Sequence, residues 1–134
     1  MSTNSFSRRL AVMAAAGLAI TGAALATAAP ASATGKNGNL EYMEFGLFYN
    51  SNQAGCVFDL YVQDNSFSDD VFKGAACHGV NQVTNDNTAS YINRDTRTWY
   101  VYTNANFGGT EGSLPANYVG NASSTFKNQI SSAL

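Results

Sequence analysis

Few side chains in this chain could do chemistry, and they lie far apart. His78 is the single histidine. It follows Cys77 in a stretch of glycine and alanine, and no serine is marked as an activated nucleophile, so a Ser-His-Asp set has one recognisable member at most. Zinc needs three or four protein ligands, and a lone histidine beside bonded cysteines cannot supply them. Asp69 and Asp70 are neighbours, and paired carboxylates run glycoside hydrolysis, but adjacent acids in a polar loop are ordinarily just solvated. No catalytic set is visible, and the chain reads as one that binds.

Cys56 and Cys77 are the only cysteines. Their spacing is not the CxxC of a redox pair. In an oxidising compartment two cysteines in a small domain usually bond, closing a loop of about 20 residues worth on the order of 3 kcal/mol. A structural disulfide is expected, with two buried thiols as the alternative.

The compartment follows from the N-terminus. Arg8 and Arg9 precede an uncharged apolar run from Leu10 to Ala29, and Ala31-Ser32-Ala33 ends it. A basic start, a short apolar stretch and a small-residue cut site define an export signal, assigned here to residues 1–33. The alternative, a membrane anchor, needs about 20 strongly apolar residues, and here alanine, glycine and threonine dilute the run. Ser7-Arg8-Arg9-Leu10 leaves the general secretory and twin-arginine routes both open. Residues 34–39 read as a flexible lead-in, and 40–134 as one domain, secreted to the extracellular space with no membrane insertion after cleavage.

The whole chain carries 7 basic and 9 acidic residues. Loss of Arg8 and Arg9 moves the charge to about −4, which leaves phosphates and anionic headgroups without a counter-charge. Nucleic acid is excluded as a partner on that ground.

The elements that would position any site are strands. No stretch sustains a helical period. Aromatic and β-branched runs recur at Glu41 to Tyr49, Cys56 to Val62, Ser90 to Ile92 and Thr98 to Thr103, separated by turn formers such as Asn85-Asp86-Asn87 and Gly108-Gly109. Short strands with polar turns at this spacing indicate an all-β sandwich or barrel.

A repeat organises them. Phe48-Tyr49-Asn50-Ser51-Asn52-Gln53-Ala54-Gly55 aligns without a gap on Tyr102-Thr103-Asn104-Ala105-Asn106-Phe107-Gly108-Gly109. Downstream, Asn85-Asp86-Asn87-Thr88-Ala89-Ser90 matches Lys127-Asn128-Gln129-Ile130-Ser131-Ser132. The first half carries about a dozen extra residues, which places an insertion between Tyr61 and Val80, ending near Cys77.

Tyr102, Phe107 and Gly109 form the aromatic-x4-aromatic-x-Gly signature of βγ-crystallin Greek keys, with Phe48 and Gly55 as the degraded first copy, where Gln53 replaces the inner aromatic. The chain resembles that fold and, among secreted bacterial forms, peptidase inhibitor family I36, in the wording of Trp99 to Gly109. The resemblance implies two Greek-key motifs, about 40–93 and 94–134, forming one β-sandwich. Stacking of the first aromatic on the second is worth roughly 0.5–1.5 kcal/mol; Phe48 lacks that partner, so the first hairpin is expected to be the looser.

The resemblance also implies ligands. The two polar turns stand where βγ-crystallins bind calcium, an ion that takes six to eight oxygens. Asn85, Asp86, Ser90, Asn128, Ser131 and Ser132 have suitable chemistry, and Asn85, Asp86, Asn128 and Ser131 are the candidate set. Ala89 and Lys127 depart from the pattern, so pairing of Asp86 with Ser131 survives and pairing of Asn128 with Ala89 does not. No cofactor is required, and calcium, at one weak site, is the ion the turns suit. For a metalloproteinase inhibitor the resemblance implies a rigid exposed segment with a bulky apolar residue. Asp70, Val71 and Phe72 in the insertion are the candidate; Cys56-Val57-Phe58 is another, expected to face the core.

The function expected is thus a monomeric, secreted, non-enzymatic binding protein, an inhibitor-like partner of an extracellular metalloproteinase. A calcium-stabilised structural domain, a killer-toxin-like antagonist, and a carbohydrate module using Trp99 and the tyrosines are the alternatives.

Overall fold

In the computed structural model, residues 33–134 are described; the export signal expected at 1–33 falls almost wholly outside them. Seven strands form: β1 (Phe45–Asn50), β2 (Ala54–Leu60), β3 (Ser90–Asn93), β4 (Trp99–Asn104), β5 (Gly108–Leu114), β6 (Val119–Asn121) and β7 (Ser132–Ala133). A short 3-10 turn covers Phe67–Asp69. One sheet has the order β2-β1-β3-β6 and the other β5-β4-β7. All the strand pairings are antiparallel.

The order is that of two interlocked Greek keys. β1, β2 and β3 come from the first motif, and β4, β5 and β7 from the second. Each motif lends a piece to the other's sheet: β6 pairs with β3, and Asp64 bridges Ala133 of β7.

The hairpins obey the alignment read from sequence. Asn52 and Gln53 are both left-handed, as are Asn106 and Phe107, with Gly55 and Gly109 following at φ 83° and 78°. Such a turn leaves an amide aimed inward that no strand can satisfy. A buried serine takes it in each motif. Gln53 N–H donates to Ser90 Oγ at 2.9 Å, and Ser90 Oγ donates to Asn50 O at 2.6 Å. Phe107 N–H donates to Ser132 Oγ at 3.0 Å, and Ser132 Oγ to Asn104 O at 2.7 Å.

Tyr102 and Phe107 meet edge to face at 5.8 Å. In the first hairpin, expected to be the looser, Gln53 stands in the place of the inner aromatic and makes polar bonds instead. Its carboxamide donates to Gly120 O at 3.0 Å, and Asn52 N–H donates to Asn121 Oδ1 at 2.6 Å. The polar substitute is matched by polar groups of β6.

Between the sheets lie Phe45, Leu47, Phe58, Leu60, Phe67, Phe72, Trp99 and Ile130, all nearly or wholly buried. Trp99 is 0% exposed, its indole N–H donating to Asp95 Oδ2 at 2.9 Å. A fully buried ring offers no sugar-stacking platform, so Trp99 does not support a carbohydrate module; Tyr42 and Tyr61 are exposed, at 65% and 48%.

Residues 34–39, read as a flexible lead-in, are tied to β2. Lys36 N–H donates to Asp59 O at 2.6 Å, and the amides of Asn37 and Gly38 donate to the buried Asp59 carboxylate at 3.0 and 2.7 Å.

The serine latches give the first prediction. Ser90→Ala and Ser132→Ala each strand a buried amide, which costs about 1–3 kcal/mol. Both variants are expected to unfold at lower denaturant than the parent, with an unchanged slope.

Candidate functional site

The two polar turns face each other across the end of the sandwich. Asp86 N–H donates to Ile130 O at 3.0 Å, and Asn128 N–H donates to Thr88 O at 2.9 Å. Asp86 and Asn128 are both left-handed, at φ 60° and 57°. This reciprocal pair of bonds creates two cradles, each using a residue from either turn.

The structure divides the sequence-derived calcium set between them. In one cradle Ser131 Oγ lies 3.2 Å from Asp86 Oδ1 and 3.2 Å from Thr103 O, and Asn85 Nδ2 donates to Asp86 Oδ2 at 3.2 Å. In the other, Asn128 and Ala89 line a cleft with Lys127. Ser90 and Ser132 belong to neither donor set, because their hydroxyls are spent on the hairpin latches. Asp86, Ser131 and the Thr103 carbonyl are hard oxygen donors of the type calcium takes, with a single carboxylate among them, while Asn85 turns its N–H toward Asp86. These oxygens would supply only part of the six to eight that calcium takes. No group of three or more His, Cys, Asp or Glu able to hold a metal occurs among the described residues.

The insertion lies along the outer edge of β2. Cys56 and Cys77 are disulfide-bonded with Cα atoms 5.2 Å apart. Cys56 N–H donates to His78 O at 2.9 Å, Val57 and Lys73 exchange two backbone bonds, and Val71 bridges Val83. Gly74 sits against the bridge; a Cβ there would meet Cys77 Sγ at 2.5 Å. Gly79 (φ 93°) packs equally close on the Tyr49 ring.

This arrangement corrects the candidate inhibitory segment. Phe72 is 0% exposed and meets Tyr49 edge to face at 5.4 Å. It anchors the insertion to the core and cannot enter a protease cleft. Asp70 is turned toward Lys36, and Val71 is half-buried. Val57 and Phe58 are buried, as expected. Exposed in the insertion are Tyr61 to Gln63, Asn65, Ser68, Asp69, Lys73 to Ala76, His78 and Val80, with Tyr61, Val62 and Val80 at 48%, 63% and 39%, and Val83, just beyond it, at 44%. Sequence reasoning located the insertion but chose its bulkiest apolar residue, which is the one the core takes.

Lys36 was not singled out by sequence. Its ammonium pairs with Asp64 at 2.5 Å and Asp70 at 3.0 Å, and Lys73 Nζ donates to its carbonyl at 2.8 Å. The lead-in thereby straps the insertion. Burial and the neighbouring Asp64 raise the Asp70 carboxyl from 3.8 to about 6, against the pull of Lys36, while Asp64 itself is held below the ordinary range by Lys36 and by the Ser66 amide.

The sequence profile of the family described as peptidase inhibitor family I36 matches residues 41–114. No curated protein matches the chain. Three solved structures share its fold at low identity. A beta gamma crystallin from Ciona intestinalis is 20% identical, with TM-score 0.52, covering 67% of this chain and 95% of that one. A structure described as "Evolution of the eye lens beta-gamma-crystallin domain fold" is 18% identical, with TM-score 0.56, covering 73% and 89%. The N-terminal domain of protein S is 19% identical, with TM-score 0.51, covering 67% and 91%. These likenesses establish a βγ-crystallin fold.

The Asp70 carboxyl gives a signed pH prediction. The folded protein holds this proton more tightly than the unfolded chain, so Asp70 favours folding most below pH 3.8 and loses that contribution as pH rises through about 6. Asp70→Asn is expected to flatten the Tm profile over that window relative to the parent. Parallel profiles would contradict it.

Proposed function

Because the chain belongs to peptidase inhibitor family I36, we propose that it is a secreted, monomeric protein that binds an extracellular metalloproteinase through its disulfide-stapled insertion. Membership places it among inhibitors of peptidases and not among enzymes. The observation that carries the surface assignment is the insertion itself. It is tied at Cys56–Cys77, strapped by Lys36, anchored by Phe72, and it leaves Val80 and Val83 exposed. A segment already ordered before binding loses little entropy on docking, the feature that makes such segments effective. Thermolysin-like enzymes take a bulky apolar residue after the cut bond, and Val80 and Val83 replace Val71 and Phe72 as the residues offered. The export signal and the disulfide agree with an extracellular site of action. No helix among the described residues is long and apolar enough to cross a membrane.

Calcium is a second reading, favoured by the meeting of Asp86 and Ser131. A weakly held ion there stabilises the fold without taking part in peptidase binding.

Titration against a thermolysin-like metalloproteinase tests the first reading. Inhibition at micromolar concentration is expected. Val83→Asp is expected to weaken it at least tenfold, about 1.4 kcal/mol, with Tm unchanged. Absence of inhibition by the parent protein would refute the assignment. Thermal melts test the second. A calcium concentration about a hundred times the Kd adds about 2.7 kcal/mol, and Asp86→Asn is expected to abolish the gain.

A further inference from the structure

The two cradles share a backbone frame and differ in sign of charge. The reciprocal bonds from Asp86 to Ile130 and from Asn128 to Thr88 put positions 85–90 and 127–132 in register. At three matched positions the chemistry moves in one direction. Lys127 stands opposite Asn85, Asn128 opposite Asp86, and Ala89 opposite Ser131. An amide has become an ammonium, a carboxylate an amide, and a hydroxyl a methyl. Each change removes an oxygen donor or adds positive charge.

The altered cradle opens as a cleft of about 240 Å³ lined by Tyr49, Asn50, Asn87, Ala89, Lys127 and Asn128. No carboxylate lines it. Asn50 is engaged with His78, and Asn87 Nδ2 donates to Val83 O at 2.7 Å. The side chains of Lys127 and Asn128 have no hydrogen-bond partner among the described residues.

We propose that this cleft binds a singly charged carboxylate. The Lys127 ammonium supplies one positive charge, and charge-assisted bonds to a carboxylate are the strong ones. The Asn128 side-chain carboxamide is an unengaged N–H donor beside it. The rest of the lining is chiefly polar, with Tyr49 and the Ala89 methyl completing it. One ammonium balances one negative charge; a phosphate dianion would keep a charge uncompensated in a site whose other polar groups are neutral amides. The acid could be a free small molecule or an aspartate or glutamate side chain of a protein, and both present the same group. This site is separate from the Asp86–Ser131 cradle and does not depend on the peptidase reading.

Titration of the 15N-labelled protein by NMR tests it, with acetate, capped Ala-Glu-Ala and capped Ala-Gln-Ala as probes. Acetate or the glutamate peptide is expected to shift the backbone amides of Asn87, Ala89 and Asn128, saturating in the millimolar range. The glutamine peptide is expected to bind at least tenfold more weakly. Tighter binding of the peptide than of acetate identifies a side-chain source, and the reverse a free acid. Lys127→Met, at an exposed turn position, is expected to abolish the response while the Asp86 and Ser131 amides stay in place; Lys127→Arg is expected to retain it. Equal response to the glutamate and glutamine peptides, shifts outside the cleft, or an unaltered response in Lys127→Met would overturn the proposal.

Discussion

Two consecutive left-handed residues at a hairpin tip create an amide that only a group from outside the hairpin can satisfy. In this protein that group is a serine some 25 to 40 residues further on, Ser132 for Phe107 and Ser90 for Gln53. The latch fixes more than the turn. It holds β3 against β1 and β7 against β4, which closes each Greek key. It also sets the residues just before each serine at the sandwich end, where Asp86 and Asn128 exchange backbone bonds with the opposite turn. The strand order, the interlocking of the motifs and the paired cradles all follow from where those two hydroxyls must sit.

On that symmetric frame the halves have diverged. β5 lies at a sheet edge with no partner on its outer side among the described residues. Its counterpart β2 is covered along that side by Lys36, Lys73 and His78. The extra residues of the first motif therefore act as an edge cover, which removes a strand edge open to pairing. Phe72 seats the cover in the core and Cys56–Cys77 closes it. The side away from the core is then free to carry exposed valines, and the cradles are free to take opposite charges.

What was legible in the sequence was the repeat and its aromatic hairpins. Phe45, Leu47, Phe58, Trp99 and Val101 carry the propensity and burial that mark strands. The later strands were silent. β5 reads Gly-Gly-Thr-Glu-Gly-Ser-Leu, a largely exposed edge with only Leu114 in the core, and β7 spans only two residues. Of the site, the pairing of Asp86 with Ser131 could be read because the matched turns are written in the sequence. The fate of Phe72 could not. Its neighbours, Tyr49 and the core, are remote in sequence, and nothing local distinguishes an apolar residue that anchors a loop from one that a loop presents. The strapping of Asp64 and Asp70 by Lys36 was hidden for the same reason: it joins a glycine- and asparagine-rich lead-in to acids about 30 residues away.

The claim at the centre of this account is that the first motif's extra residues form the peptidase-facing surface. Amide hydrogen exchange, compared between the free protein and its complex with a saturating thermolysin-like metalloproteinase, tests it most directly. Slowed exchange confined to residues 73–83, with β5 and the two turn cradles unchanged, is the result expected. Protection along β5, with residues 73–83 exchanging as in the free protein, would contradict it.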